Sequence, residues 1–214
     1  MSGALNGAER FDRAYAADPD PWRVDSSAYE RHKREATLAM LGGRRFGSAL
    51  EVGCGTGALS ERLAAFCESV LASDFSAVAV ALAERRLARI ANVTVARLRF
   101  PEQIRPQGFE LVVCSEILYY LDPQTFEQRA LAWFAEAVAC GASVLVVDWR
   151  GGGETEPLRG DDVHAQLRAA LSVNHRDGAV HPRYRLDLFE PGCGLRPPRG
   201  GSQACGPRRT DRSR

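Results

Sequence analysis

The residues best placed to do chemistry lie in Ala49-Leu50-Glu51-Val52-Gly53-Cys54-Gly55-Thr56-Gly57, where an apolar run ends in a carboxylate and three glycines alternate with small residues. An amphipathic segment follows. The pattern reads as a buried strand, a tight turn and a helix N-terminus, where a ligand can approach bare backbone and unpaired N–H groups. Gly53-x-Gly55-x-x-Ala58 also fits the dinucleotide fingerprint, so the spacing alone leaves the ligand open. Asp74 closes the next apolar run, 17 residues after Gly57, and Phe75 follows it. A carboxylate there can accept both hydroxyls of a ribose, and the ring offers an apolar face to adenine. Asp74 fits NAD equally well, so it supports a nucleoside without choosing one.

Glu51 makes the choice. Two residues before Gly53, it would set a negative charge against a pyrophosphate, whereas it suits a cation. Nothing later in the chain supplies an obvious hydride-transfer site. Glu51 and the turn therefore favour S-adenosylmethionine (SAM), whose sulfonium and ammonium are positive and which carries no phosphate. An NAD-binding oxidoreductase is the runner-up.

The elements that must position these groups alternate. Strands are predicted over 48–52, 69–73, 93–98, 109–114, 143–148 and 184–190, with helices over 58–67, 77–90, 123–139 and 161–171. Strands alternating with helices imply an α/β fold, a doubly wound, mostly parallel sheet. Residues 1–45 read as an N-terminal lid segment. Phe11, Tyr15 and Trp22 are its aromatic anchors, the prolines of Asp18-Pro19-Asp20-Pro21 forbid a continuous helix, and a helix capped by Asp25 or Ser26 runs to about Leu41. Residues 46–190 form the binding domain. Residues 191–214 hold six arginines, five glycines and four prolines, too little apolar surface to offset the entropy of ordering, and are expected to be disordered.

Bulk properties exclude several classes. Apolar content of 45% with 26% charged residues suits a soluble globular domain. The net charge of +1 conceals a tail of +5 on a body of −4, and the tail has no interleaved aromatics, so nucleic acid is not an expected partner. No apolar run is long enough to span a bilayer, and no basic-then-apolar leader opens the chain. Six cysteines without C-x-x-C spacing read as free thiols, placing the chain in the cytoplasm.

Leu50-Glu51-Val52-Gly53-Cys54-Gly55-Thr56-Gly57 resembles the first motif of class I SAM-dependent methyltransferases, a Rossmann-like fold. Three further stretches narrow the resemblance: Pro19-Asp20-Pro21-Trp22 with Tyr29-Glu30-Arg31, Ser115-Glu116-Ile117-Leu118-Tyr119-Tyr120-Leu121, and Pro157-Leu158-Arg159-Gly160-Asp161-Asp162-Val163-His164. Together they are similar to the family of nodulation protein S, an N-methyltransferase acting on the free amine of a deacetylated amino-sugar oligosaccharide. The resemblance implies that Gly53, Gly55 and Gly57 cradle the methionine part of SAM, with Asp74 on the ribose and Phe75 beside the adenine. Ser115 and Glu116 would border the methyl group. Trp22 and Lys33 would close over the cofactor, with Lys33 meeting its carboxylate where the family tends to have arginine.

Two departures follow. Many class I enzymes bind the adenine amine through an Asp or Asn after the third strand; here stands Arg97-Leu98-Arg99-Phe100, which leaves the task to backbone groups. The fold also normally ends in an antiparallel hairpin. With the stretch 184–190 taken as the sixth strand, the usual last antiparallel strand is expected to be missing, so either the sheet is truncated or the tail is not the natural continuation of the chain. For catalysis Glu116 is the first candidate base, then Asp148 and His164; the ordinary alternatives are a turn cap for Glu116 and a helix-surface position for His164. Tyr119 and Tyr120 read either as substrate contacts or as one core and one surface ring. Ser115-Glu116-Ile117-Leu118 does not match the Asn/Asp-Pro-Pro-Tyr turn of DNA-adenine and glutamine methyltransferases, and no acidic cluster suggests a metal. The acceptor is a small molecule, by resemblance an amino sugar or oligosaccharide. O-methylation of another metabolite, or a degenerate module that binds SAM without turnover, are the alternatives.

Overall fold

The computed structural model describes residues 7–151, 156–171, 174–177 and 181–192. Two helices open the chain, α1 (Gly7–Ala17) and α2 (Ala28–Ala39). There follow β1 (Phe46–Val52), α3 (Ala58–Leu63), β2 (Cys67–Asp74), α4 (Ala77–Leu87), β3 (Val93–Arg97) and β4 (Leu111–Ser115). A 3-10 turn at Leu118–Tyr120 leads into α5 (Pro123–Thr125), a π-helical turn at Phe126–Ala130 and α6 (Leu131–Ala139). The chain then forms β5 (Ser143–Trp149), α7 (Gly160–Ala170), β6 (Asn174–Asp177) and β7 (Tyr184–Glu190).

The strands make one seven-stranded sheet in the order β3-β2-β1-β4-β5-β7-β6. The first five are parallel; β7 runs antiparallel to β5, with Val147 opposite Leu186 and Asp148 opposite Arg185. Strands covered on both faces are apolar on both, and successive residues feed opposite layers. Leu50, Val112 and Val144 join Phe126, Phe134, Val163 and Leu167 on one side. Ala49, Leu111 and Leu145 join Leu38, Leu41, Leu59 and Leu63 on the other. The arrangement is the expected doubly wound, Rossmann-like α/β sheet.

The final antiparallel strand is not missing. The stretch 184–190 is itself that strand, and its hairpin partner is β6, where Asn174 pairs with Glu190 and Asp177 with Asp187. Four polar residues on an edge strand give no apolar alternation to detect, so 184–190 is the seventh strand and not the sixth. The truncated-sheet and foreign-tail alternatives lose their premise. The tail itself lies outside the described residues beyond Gly192. In the lid segment, α1 is a helix the prolines gave no hint of, since they lie after it. Ser27 caps α2, accepting from the Glu30 N–H. Among the described residues Cys54, Cys67, Cys114 and Cys140 are free thiols, and no helix is long and apolar enough to cross a membrane.

Candidate active site

The order β2-β1-β4 reverses direction between β1 and β4, and in open α/β sheets the crevice beyond the strand ends at that reversal is where ligands bind. A cavity of about 830 Å3 lies there, ordinary for a small-molecule site. Its floor is the turn after β1. Gly53 and Gly55 both have left-handed φ, 74° and 54°. A Cβ on Gly53 would sit 2.0 Å from Ile117 Cγ2, and one on Gly55 2.7 Å from the Tyr15 hydroxyl. The backbone is thus bare by necessity, packed from the far side by the loop after β4 and from above by α1.

Glu51 is 2% exposed and lines this floor, with the Ser60 hydroxyl donating to it. Burial pushes its carboxyl up to about 8, and the nearby Asp74 adds to the shift while Ser60 opposes it. A buried carboxyl of this kind ionises most readily against a cation. Asp74, at the end of β2, accepts from the Gly55 N–H (3.0 Å) and the Ser76 N–H (2.9 Å), one on each oxygen. Burial raises its pKa, while the backbone N–H groups of Ser76 and Gly55 work against the rise. Each oxygen keeps a lone pair for a further donor.

Phe75 lies beside Asp74 in an aromatic group. Phe11 of α1 sits edge-on to Phe75 (5.4 Å) and to Tyr120 (5.1 Å), and contacts Trp22, which also meets Tyr15. Trp22 is 40% exposed, the one large apolar side chain so placed among the described residues. Its turn is built by Asp20, which accepts from the Val24 and Asp25 N–H groups. Asp12 docks α1 onto the start of α4, accepting from the Ser76 hydroxyl (2.5 Å) and the Val78 N–H (3.2 Å). Beyond Phe75, Leu98 and Arg99 line the cavity, with their N–H groups bonded to the Asp74 carbonyl and the Gln103 side chain.

Opposite lies Glu116, a non-glycine residue with φ of 62°, the strained kind of position that clusters at functional sites. Its carboxylate accepts from Lys33 Nζ (2.6 Å), the Tyr119 hydroxyl (2.6 Å) and the Trp149 N–H (3.0 Å). Lys33 also reaches Glu30 at 2.9 Å. Burial alone would lower the Lys33 pKa, but the carboxylates of Glu116 and Glu30 outweigh it and hold it above the usual range. Ser115, Tyr119, Tyr120, Tyr29 and Glu156 share this wall. Both tyrosines after β4 face the cavity, Tyr119 buried and Tyr120 half-buried.

Asp148 and His164 are placed differently from the expectation. Neither lines the cavity, and both are fully enclosed. His164 is no helix-surface residue: Nδ1 lies 2.6 Å from Asp187 Oδ2, and Nε2 lies 3.5 Å from Asp148 Oδ2. The apolar face of α7 carries it inward with Val163 and Leu167. Neither residue can touch an acceptor. Asp12, which docks α1 beside the cavity, and Glu156, which lines it, lie outside every stretch singled out in the chain, since a lone carboxylate has no spacing to mark it. Among the described residues no group of three or more His, Cys, Asp or Glu side chains could hold a metal.

The family profile described as Nodulation protein S (NodS) matches residues 6–144. Nodulation protein S of Sinorhizobium fredii is 37% identical over 123 residues, 55% of this chain and 55% of that protein. Its Bradyrhizobium diazoefficiens counterpart is 36% identical over 114 residues, 52% of this chain and 53% of that protein. The chain spans about half the length of the curated relatives it matches. Among solved structures, N-methyltransferase NodS from Bradyrhizobium japonicum, in complex with S-adenosyl-L-homocysteine, superposes with a TM-score of 0.75 at 24% identity, covering 87% of this chain and 99% of that one. A Pseudomonas syringae protein superposes with a TM-score of 0.65 at 35% identity, covering 77% and 99%. The profile match covers well over half the chain and runs from α1 through the glycine turn, Asp74 and Glu116 into β5; the chain belongs to the nodulation protein S (NodS) family.

Proposed function

We propose that the protein is a SAM-dependent methyltransferase that transfers a methyl group to the amine of a small acceptor, an amino sugar or oligosaccharide. The observation that carries this reading is the pairing of two carboxylate-bearing walls across one cavity: buried Glu51 with Asp74 on the glycine side, and on the other Glu30, Glu116 and Glu156, which outnumber the cations Lys33 and Arg10 paired with them. A cationic cofactor suits the first and an amine the second.

The residues fit the cofactor. The bare backbone at Gly53 and Gly55 admits its methionine part, Glu51 meets its ammonium, Asp74 takes the ribose hydroxyls, and Phe75 flanks the adenine. Lys33 has two of its three N–H donors engaged by Glu116 and Glu30, leaving one for the cofactor carboxylate. Trp22 and Tyr15 close the lid over this half. When bound, SAM supplies an electrophilic methyl on a sulfonium. The protein's own work is then to orient the acceptor nitrogen in line with that methyl and to exclude water. Ser115 and Glu116, at the end of β4, border the reacting position. Glu116, with three donors holding it still, fixes an ammonium by charge and takes its proton as the nitrogen becomes a nucleophile.

A screen with methyl-labelled SAM against deacetylated chitooligosaccharides, other amino sugars and hydroxylated metabolites tests this. Label should appear on nitrogen in an amino sugar. Transfer to hydroxyls alone would reassign the acceptor, and no transfer to any of them would defeat the reading.

A further inference from the structure

Lys33 and Arg34 are neighbours on α2 and both line the cavity, but their surroundings differ. The Lys33 ammonium is held by Glu116 at 2.6 Å and by Glu30 at 2.9 Å. Two carboxylates thus surround one cation, and a third arriving there meets repulsion. The other cations of the wall are Arg10, Arg34 and Arg99. Arg10 lies 4.0 Å from Glu156, and Arg99 lies over the Phe75 ring, 5.4 Å from its centroid. Arg34 pairs with no carboxylate among the described residues. Its Nη1 donates to the Val24 carbonyl at 3.2 Å.

Two sets of contacts place Arg34 beside the glycine turn. Gly57 packs so closely on the end of α4 that a Cβ there would sit 2.8 Å from Leu87 Cδ1. Arg86, next to Leu87, pairs with Asp25, and Val24, whose carbonyl holds Arg34, precedes Asp25. Asp20 fixes that segment by accepting from the Val24 and Asp25 N–H groups. From the other direction, Leu38 lies one turn after Arg34 on the same face of α2. It shares an apolar cluster with Leu59 of α3, the helix that starts directly after Gly57. The Val24 carbonyl takes one of the five N–H donors of Arg34. The Nε–Nη2 edge remains, and its two parallel N–H groups match the two oxygens of a carboxylate.

We infer that Arg34 is the principal holder of the SAM carboxylate, through a two-bond fork, with Lys33 assisting from the acceptor wall. The inference deepens the SAM reading above and rests on it. The carboxylate and ammonium of SAM share one carbon. With the ammonium on Glu51, the carboxylate stays close to the turn after β1, where Arg34 is anchored. Lys33 supplies only a point charge, most of it already answered by Glu30 and Glu116; Arg34 supplies a planar fork held in place before the ligand arrives.

Calorimetric titration with SAM and with decarboxylated SAM, which keeps the sulfonium and the amine, tests this. Wild type should bind SAM at least about tenfold more tightly than decarboxylated SAM, as a charge-assisted pair of hydrogen bonds requires. Arg34→Gln should lose that preference: its SAM affinity falls about tenfold while its affinity for decarboxylated SAM is unchanged. Arg34→Lys should recover only part of the loss. An equal fall for both ligands would make Arg34 a tether for the Val24 segment and nothing more. That result, or no fall for either ligand, overturns the inference and leaves the SAM site standing. So does a wild type that binds the two ligands equally, or a preference kept in Arg34→Gln and lost in Lys33→Met. Wild-type protein that binds neither ligand overturns the SAM reading as well.

Discussion

Glu51 is almost wholly buried in the sheet, and burial raises its carboxyl from the ordinary glutamate range to about 8 in the ligand-free protein. Between the ordinary glutamate value and 8, the folded state binds a proton that the unfolded state releases. Stability from this group is therefore fully present at low pH and is lost as pH rises towards 8. Glu51→Gln should flatten that fall, as read from denaturation midpoints at pH 5 and pH 8. The same proton bears on ligand preference: a cation in the cavity draws it off, while a pyrophosphate would not. Gly53 makes a second test. A methyl group there meets Ile117 at 2.0 Å on a backbone already left-handed. Gly53→Ala should cost about 2 kcal/mol or more, measured by denaturant unfolding. Glu51 and the glycines were legible in the chain because strand, carboxylate and turn adjoin in sequence. The depth of Glu51 was not, because burial depends on strands that arrive much later.

At the scale of elements, a buried ion pair reinforces the packing of α2 on the sheet. Lys33 of α2 reaches across to Glu116 at the end of β4, 83 residues away in the chain. Removing the ammonium leaves Glu30 and Glu116 facing each other without a counter-charge. Lys33→Met should lower stability by about 2 kcal/mol, the smaller end for a pair of which one member keeps some water. The double variant with Glu116→Gln should recover part of that loss. Chain order predicted the central strands well, since β1, β4 and β5 are apolar on both faces and could be little else. It failed where tertiary contact supplies the stability. α1 holds by docking Asp12 on α4 and its aromatics on the turn. The polar β6 exists because β7 offers it an edge.

Across the whole molecule, the strand-end edge of the doubly wound sheet gathers what lies scattered along the chain: the turn after β1, Asp74 at the end of β2, Glu116 after β4 and the N-terminal helices α1 and α2. Motif resemblance anticipated most of that gathering. Reading Asp148 and His164 as candidate bases from residue type misplaced them, because type suggests chemistry while only packing decides which side of a wall a residue faces. The last strands complete the sheet and bring Asp187 and His175 behind that wall. The central claim is that the cavity is built for SAM, with Asp74 holding the ribose. Calorimetric titration of the protein and of Asp74→Ala with SAM tests it most directly. We predict one site per chain in the wild type and an affinity at least about tenfold weaker in the variant, as the loss of a charge-assisted hydrogen bond requires. Equal affinity in the two proteins, or no binding by the wild type, would contradict it.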